Sequence, residues 1–167
     1  MTNFGNILVP TDFSDNSLQA LEFAQSLAKF SKAILHIIHV VEPILNTEKY
    51  WSGDNKEGFE KTRELNAEED LRRFINKISP KGVKIIEVLK SGKPHEQILK
   101  YSIKNNIDLI VIASHGWSGL SHMLTGNVTN KIFHYSEIPT ICVKPNNLIF
   151  QKDDLTARDD FAENWVG

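Results

Sequence analysis

The chain has 167 residues, 41% of them hydrophobic and 24% charged, which suits one ordinary globular domain and is too little for a second independent core. Its 19 basic and 21 acidic residues leave a net charge of -2, so nothing electrostatic points to nucleic acid or an anionic membrane as the main partner. The lone Cys142 excludes an internal disulfide, no apolar stretch reaches the roughly 20 residues that span a bilayer, and the opening Met1-Thr2-Asn3-Phe4-Gly5-Asn6 lacks a signal-peptide layout, so a reducing cytoplasm is expected.

In chain order, the first apolar run is residues 7–10, a candidate strand. Ser14 then reads as an N-cap with Asp15 in the positive first turn, and Leu18, Leu21, Ala24, Leu27 and Ala28 supply a core-facing stripe, predicting a helix over 15–30. A second strand fits 33–41; within it His36 and His39 are three apart and so face opposite sides of the sheet. Residues 42–58, containing Tyr50, Trp51, Gly53 and Gly58, stand apart and are not needed for the sheet.

Leu71, Phe74, Ile75 and Ile78 mark a second helix that ends before Pro80 and Gly82. A third strand fits 83–89, and a third helix begins near Pro94, a suitable first-turn residue. The fourth strand is 109–113 and the fourth helix 126–135, with Val128, Ile132 and Phe133 on its apolar face. Pro139 opens a last strand over 140–144, in which Cys142 packs as a small hydrophobe.

After residue 145 the chain turns polar, with Asp153, Asp154, Asp159 and Asp160, yet still carries Phe161 and Trp165. The organisation is therefore a domain over 1–145 and a tail over 146–167, read either as solvated or as an arm that docks its aromatics on its own domain or a neighbouring subunit.

Five strands alternating with four helices imply an α/β protein: an open parallel sheet with helices on both faces and a ligand crevice at the carboxyl ends of the strands. The stretch 113–128 lies there, between the fourth strand and the fourth helix. Its glycines allow close backbone approach, and the helix start offers N–H groups and a positive dipole, so the loop suits an anion; a plain chain-reversing turn accounts for the same residues. Neither a Walker loop nor a G-x-G-x-x-G fingerprint is present. Ser114 and His115 lack an orienting acid for nucleophilic catalysis, and without an HExxH or paired-cysteine motif a structural metal site is not expected.

The segments Ile7-Leu8-Val9-Pro10-Thr11-Asp12-Phe13-Ser14, 113–128 and Ile138-Pro139-Thr140-Ile141-Cys142-Val143 together resemble the universal stress protein family, whose loop signature usually runs G-x2-G-x9-G-[ST]. The resemblance covers nearly all of 6–144. It implies an adenine nucleotide alpha hydrolase-like (Rossmann-like) sheet in the order 3-2-1-4-5. It also implies an ATP or other adenine-nucleotide site with Mg2+ shared among the phosphate oxygens. Pro10, Thr11 and Asp12 at the end of the first strand and Val41 at the end of the second would hold the nucleoside. Ala113, His115, Gly116, Gly126, Asn127, Val128 and Thr129 would meet the phosphates. For Asp12 a carboxylate that only caps the following turn stays open beside the ligand role.

Two positions depart from the signature: Ala113 stands at its first glycine and Asn127 at its final Ser or Thr. The expected function is a non-enzymatic, nucleotide-binding stress-response module that dimerises through its last strand, which the topology puts at a sheet edge. The alternatives are an interaction protein without nucleotide, acting through a protein partner, and a slow nucleotide hydrolase, for which no water-positioning group or electropositive clamp is identifiable near the loop.

Overall fold

The computed structural model describes residues 4–43, 55–78, 82–114 and 127–144. Strands and helices alternate as β1 (Asn6–Pro10), α1 (Asp15–Ser31), β2 (Ile34–Val41), α2 (Asn55–Asn76), β3 (Ile85–Ser91), α3 (Pro94–Lys104), β4 (Leu109–Ala113), α4 (Asn127–Tyr135) and β5 (Thr140–Val143). All neighbouring strands pair in parallel in the order β3-β2-β1-β4-β5, as expected.

Alternation along each strand divides the core in two. Ile7, Val9, Leu35, Ile37, Leu109 and Val111 meet Leu21 and Ala24 of α1 and Leu71 and Phe74 of α2 on one face. Leu8, Ile38, Val40, Ile110 and Ile112 meet Ile98 of α3 and Ile132 of α4 on the other. Because β1 and β4 are covered on both sides, they read as unbroken apolar runs, and each such side chain buried stabilises the fold by about 1.5–3 kcal/mol.

Helix α1 starts where expected: the Ser14 hydroxyl accepts the Ser17 N–H at 3.2 Å. It stops at Lys32, whose φ of 58° is left-handed and whose N–H donates to the Ala28 carbonyl. Two elements differ from the sequence reading by more than one residue. Helix α2 already begins at Asn55, so Gly58 is helical and residues 55–58 do not stand apart. From residue 58 its side chains stay exposed or half-buried until Ala67. Strand β3 runs two residues later than expected, to Ser91, because its pairing with β2 continues until Ser91 lies level with Val41. Tyr50, Trp51, Gly53 and the tail fall outside the described residues.

Candidate functional site

The sheet order reverses between β1 and β4, and at such a switch point the two connections diverge and leave a crevice beyond the carboxyl ends of the strands. Continuing the register that pairs Leu8 with His36 and with Ile110 sets Asp12 level with Val40 on one side and Ser114 on the other. Three chain segments therefore converge on one rim.

The first is the turn after β1. Pro10 is buried, and the Thr11 N–H donates to the Ile38 carbonyl at 2.9 Å, which carries the pairing with β2 one residue past the strand. The Thr11 hydroxyl accepts the Phe13 N–H at 2.9 Å and lies 2.9 Å from the Ser17 hydroxyl. Asp12 Oδ1 accepts from both the N–H and the hydroxyl of Ser14, at 3.1 and 2.5 Å, so this carboxylate does brace the turn that opens α1. Phe13 adopts φ 67°, a left-handed conformation that costs a bulky L-residue about 1–2 kcal/mol.

His39 supports that turn from β2. Its Nδ1 lies 2.8 Å from the Thr11 carbonyl, which can only accept, so Nδ1 carries the proton. Its ring stacks on Phe13 with centroids 4.1 Å apart and planes at 25°. Burial lowers the His39 pKa below the ordinary histidine value, against the raising effects of the Thr11 bond, Asp12 and Asp70. His36 faces the opposite side of the sheet, as expected, and bonds to Tyr101 and Asn6.

The second segment is the end of β2. The Val41 carbonyl accepts the Gly92 N–H at 3.0 Å, so it points toward β3 and away from Asp12. Ile38 bonds toward β1, and since successive residues of a parallel strand bond to opposite neighbours, Val40 turns its N–H and C=O to the side where β1 has ended. The β2 backbone that faces Asp12 thus belongs to Val40 rather than Val41. Only the register distinguishes the two, and two adjacent valines give no sequence signal for it.

The third segment joins β4 to α4. Ala113 is buried, and its carbonyl accepts the hydroxyl of Thr129, itself only 4% exposed, at 2.9 Å. The Ser114 N–H donates to the Val143 carbonyl at 2.9 Å. These bonds tie the first turn of α4 to the ends of β4 and β5. Ala113 is an ordinary strand residue; the left-handed non-glycines among the described residues are Phe13, Lys32 and Asn106. Its backbone therefore does not need the glycine of the signature. Asn127, exposed, and Val128, half-buried, open α4. His115, Gly116 and Gly126 lie outside the described residues.

The rim offers a carboxylate and backbone groups on the β1–β2 side and helix-start N–H groups on the β4–α4 side. Among the described residues there is no cluster of three or more His, Cys, Asp or Glu that could hold a metal ion. Burial raises the half-buried Cys142 thiol above its ordinary pKa, which suits a packed thiol rather than a nucleophile. No helix among the described residues is long and apolar enough to cross a membrane.

The model of the Universal stress protein family matches residues 3–144. Universal stress protein YxiE of Bacillus subtilis is 32% identical over 147 residues, which is 84% of this chain and 99% of that protein. Among solved structures, that of MJ0577 is 25% identical with a TM-score of 0.76, covering 87% of this chain and 99% of its own; the protein of that name comes from Methanocaldococcus jannaschii. A universal stress protein in complex with cAMP has 22% identity and a TM-score of 0.65, covering 86% of this chain and 98% of its own. The universal stress protein of Archaeoglobus fulgidus in complex with dAMP has 21% identity and a TM-score of 0.60, covering 86% of this chain and all of its own. The last two likenesses bear on the fold.

Proposed function

Since the chain belongs to the universal stress protein family, we propose that it is an adenine-nucleotide-binding regulatory module of the stress response rather than an enzyme. The observation that carries this reading is the convergence at the β1/β4 switch point of the Asp12 turn, the outward-facing backbone of Val40 and the α4 start anchored by Thr129 on Ala113. A carboxylate accepts hydrogen bonds from ribose hydroxyls, a strand-end backbone reads a base edge, and helix-start N–H groups receive phosphate. The cAMP and dAMP complexes of two structural neighbours support an adenine nucleotide as the ligand class. With ATP, magnesium would be carried on the phosphate oxygens. The protein would work in the cytoplasm as a dimer joined along β5, an edge strand.

Thermal unfolding of the nucleotide-stripped chain with and without magnesium ATP tests this. At a hundredfold excess over its dissociation constant, a single bound nucleotide raises stability by about 2.7 kcal/mol, on the order of 5–10 °C in midpoint. The shift should shrink in Asp12→Ala and vanish in Gly126→Leu. A wild type that does not respond to millimolar ATP, ADP, AMP or cAMP rejects the nucleotide reading and leaves the interaction protein in its place.

A further inference from the structure

We infer that His39 is a positioning residue for the nucleotide site: it grips the turn after β1 on both sides of Asp12 and so fixes where that carboxylate stands. The inference rests on the proposed nucleotide reading for its consequence, though not for its geometry.

Three observations carry it. First, the turn contains a left-handed conformation on a large side chain, Phe13 at φ 67°, which persists only where the surrounding contacts hold it. Second, His39 makes two contacts there, one with the Thr11 carbonyl at 2.8 Å and one with the Phe13 ring at 4.1 Å between centroids. Thr11 precedes Asp12 and Phe13 follows it, so both neighbours of Asp12 are held by one imidazole. Third, the parts that His39 joins are anchored to the sheet and to α2: the carbonyl of Ile38, its neighbour in β2, accepts the Thr11 N–H, and the Phe74 ring of α2 lies 5.8 Å from that of Phe13, tilted by 59°. The two grips use different properties of the ring. The N–H holds the backbone and the flat face holds the aromatic, so the two grips can be removed one at a time.

A histidine that merely fills the core would stabilise the whole fold without preference for Asp12. The full chain separates the two roles, using His39→Phe, which keeps the stack and loses the N–H, and His39→Gln, which keeps an N–H donor and loses the stack. In the ligand-free protein, amide exchange at Phe13 and Ser14, whose N–H groups bond within the turn, should quicken by about tenfold or more in both variants while Val111 in β4 stays protected. AMP affinity, measured by calorimetry, should fall about fivefold or more, and tripolyphosphate binding should not change. In an Asp12→Ala background the same His39 substitutions should cost no further AMP affinity, because the residue through which they act is gone. Unchanged exchange at Phe13 and Ser14, or an equal quickening at Val111, overturns the inference, and so do additive losses of AMP affinity. If the wild type binds neither AMP nor ATP, the proposed function fails on its own account and the exchange data alone decide the role of His39.

Discussion

The hydroxyl of Thr129 donates to the Ala113 carbonyl inside the protein, and both residues are nearly inaccessible. Thr129→Val preserves the branched shape but leaves a buried acceptor without that donor, so the expected loss is about 1–3 kcal/mol, read from urea unfolding. A loss within error would mean that the bond does not hold α4 against β4. His36 gives a second residue-level test. The Asn6 Nδ2 donates to the Asn106 carbonyl, which turns Asn6 Oδ1 toward His36; Nε2 therefore carries the proton, and Nδ1 accepts from the Tyr101 hydroxyl. Protonating Nδ1 would remove that acceptor, and burial already lowers the His36 pKa below the ordinary value, as it does for His39. Between the lowered folded value and the unfolded value of about 6.5, the unfolded chain binds the proton and the folded chain does not. Stability is therefore full above about pH 6.5, declines as pH falls through that window and levels off below the folded value. The urea midpoint should be lower at about pH 5 than at about pH 7.5, and the difference should shrink in His36→Gln. A midpoint that rises toward acid contradicts the burial of neutral imidazoles.

At the scale of the element, α1 shows what a sequence reveals and what it hides. Its start was legible because Ser14 and Asp15 are chemical signals for an N-terminus and its interior because Leu21, Ala24 and Ala28 recur at helical spacing. Its end at Lys32 was not marked, since the left-handed position there lacks the usual glycine. Lys32→Gly should thus stabilise the protein by about 0.5–1 kcal/mol, visible as a higher urea midpoint with unchanged slope. A lower midpoint would show that the Lys32 side chain contributes more than its backbone costs. The start of helix α2 was hidden for a different reason. From residue 58 to residue 66 no side chain is buried, and this stretch is recognisable only once the chain folds back, where Arg63 donates to the Glu42 carbonyl at 3.0 Å just past β2. Of the candidate site, the placing of Asp12, Ala113 and Thr129 on one rim was legible, because the segments that carry them resemble those of a known family and follow strands whose order the resemblance implies. The placing of Val40 and His39 there was not, because which backbone faces β1 and which ring stacks on Phe13 are properties of register and tertiary contact.

For the whole molecule the open question is what meets the two edges of the sheet. Strand β3 exposes polar residues, Glu87, Lys90 and Ser91, in the manner of an edge left to solvent. Strand β5 is different: all four of its residues are half-buried, Ile141 and Val143 pack onto the α1 side of the core, and none of the four is charged. The proposed dimer would cover this edge. The hydrogen-bond pattern supplies a clean probe. Carbonyls of Pro139 and Val143 accept from Ile110 and Ser114 of β4, so by alternation Thr140 and Cys142 turn their N–H groups to the free side. Proline at Cys142 therefore removes a donor from the edge and none from the β4 ladder, a placement that edge strands tolerate. If two copies pair along β5, Cys142→Pro should sediment as a monomer while its circular dichroism and its response to magnesium ATP stay close to wild type. If wild type and variant both sediment as dimers, the interface lies elsewhere and the apolar edge of β5 must be covered by another part of the assembly. If both are monomers, the chain works without the symmetric pairing that its uncharged edge invites.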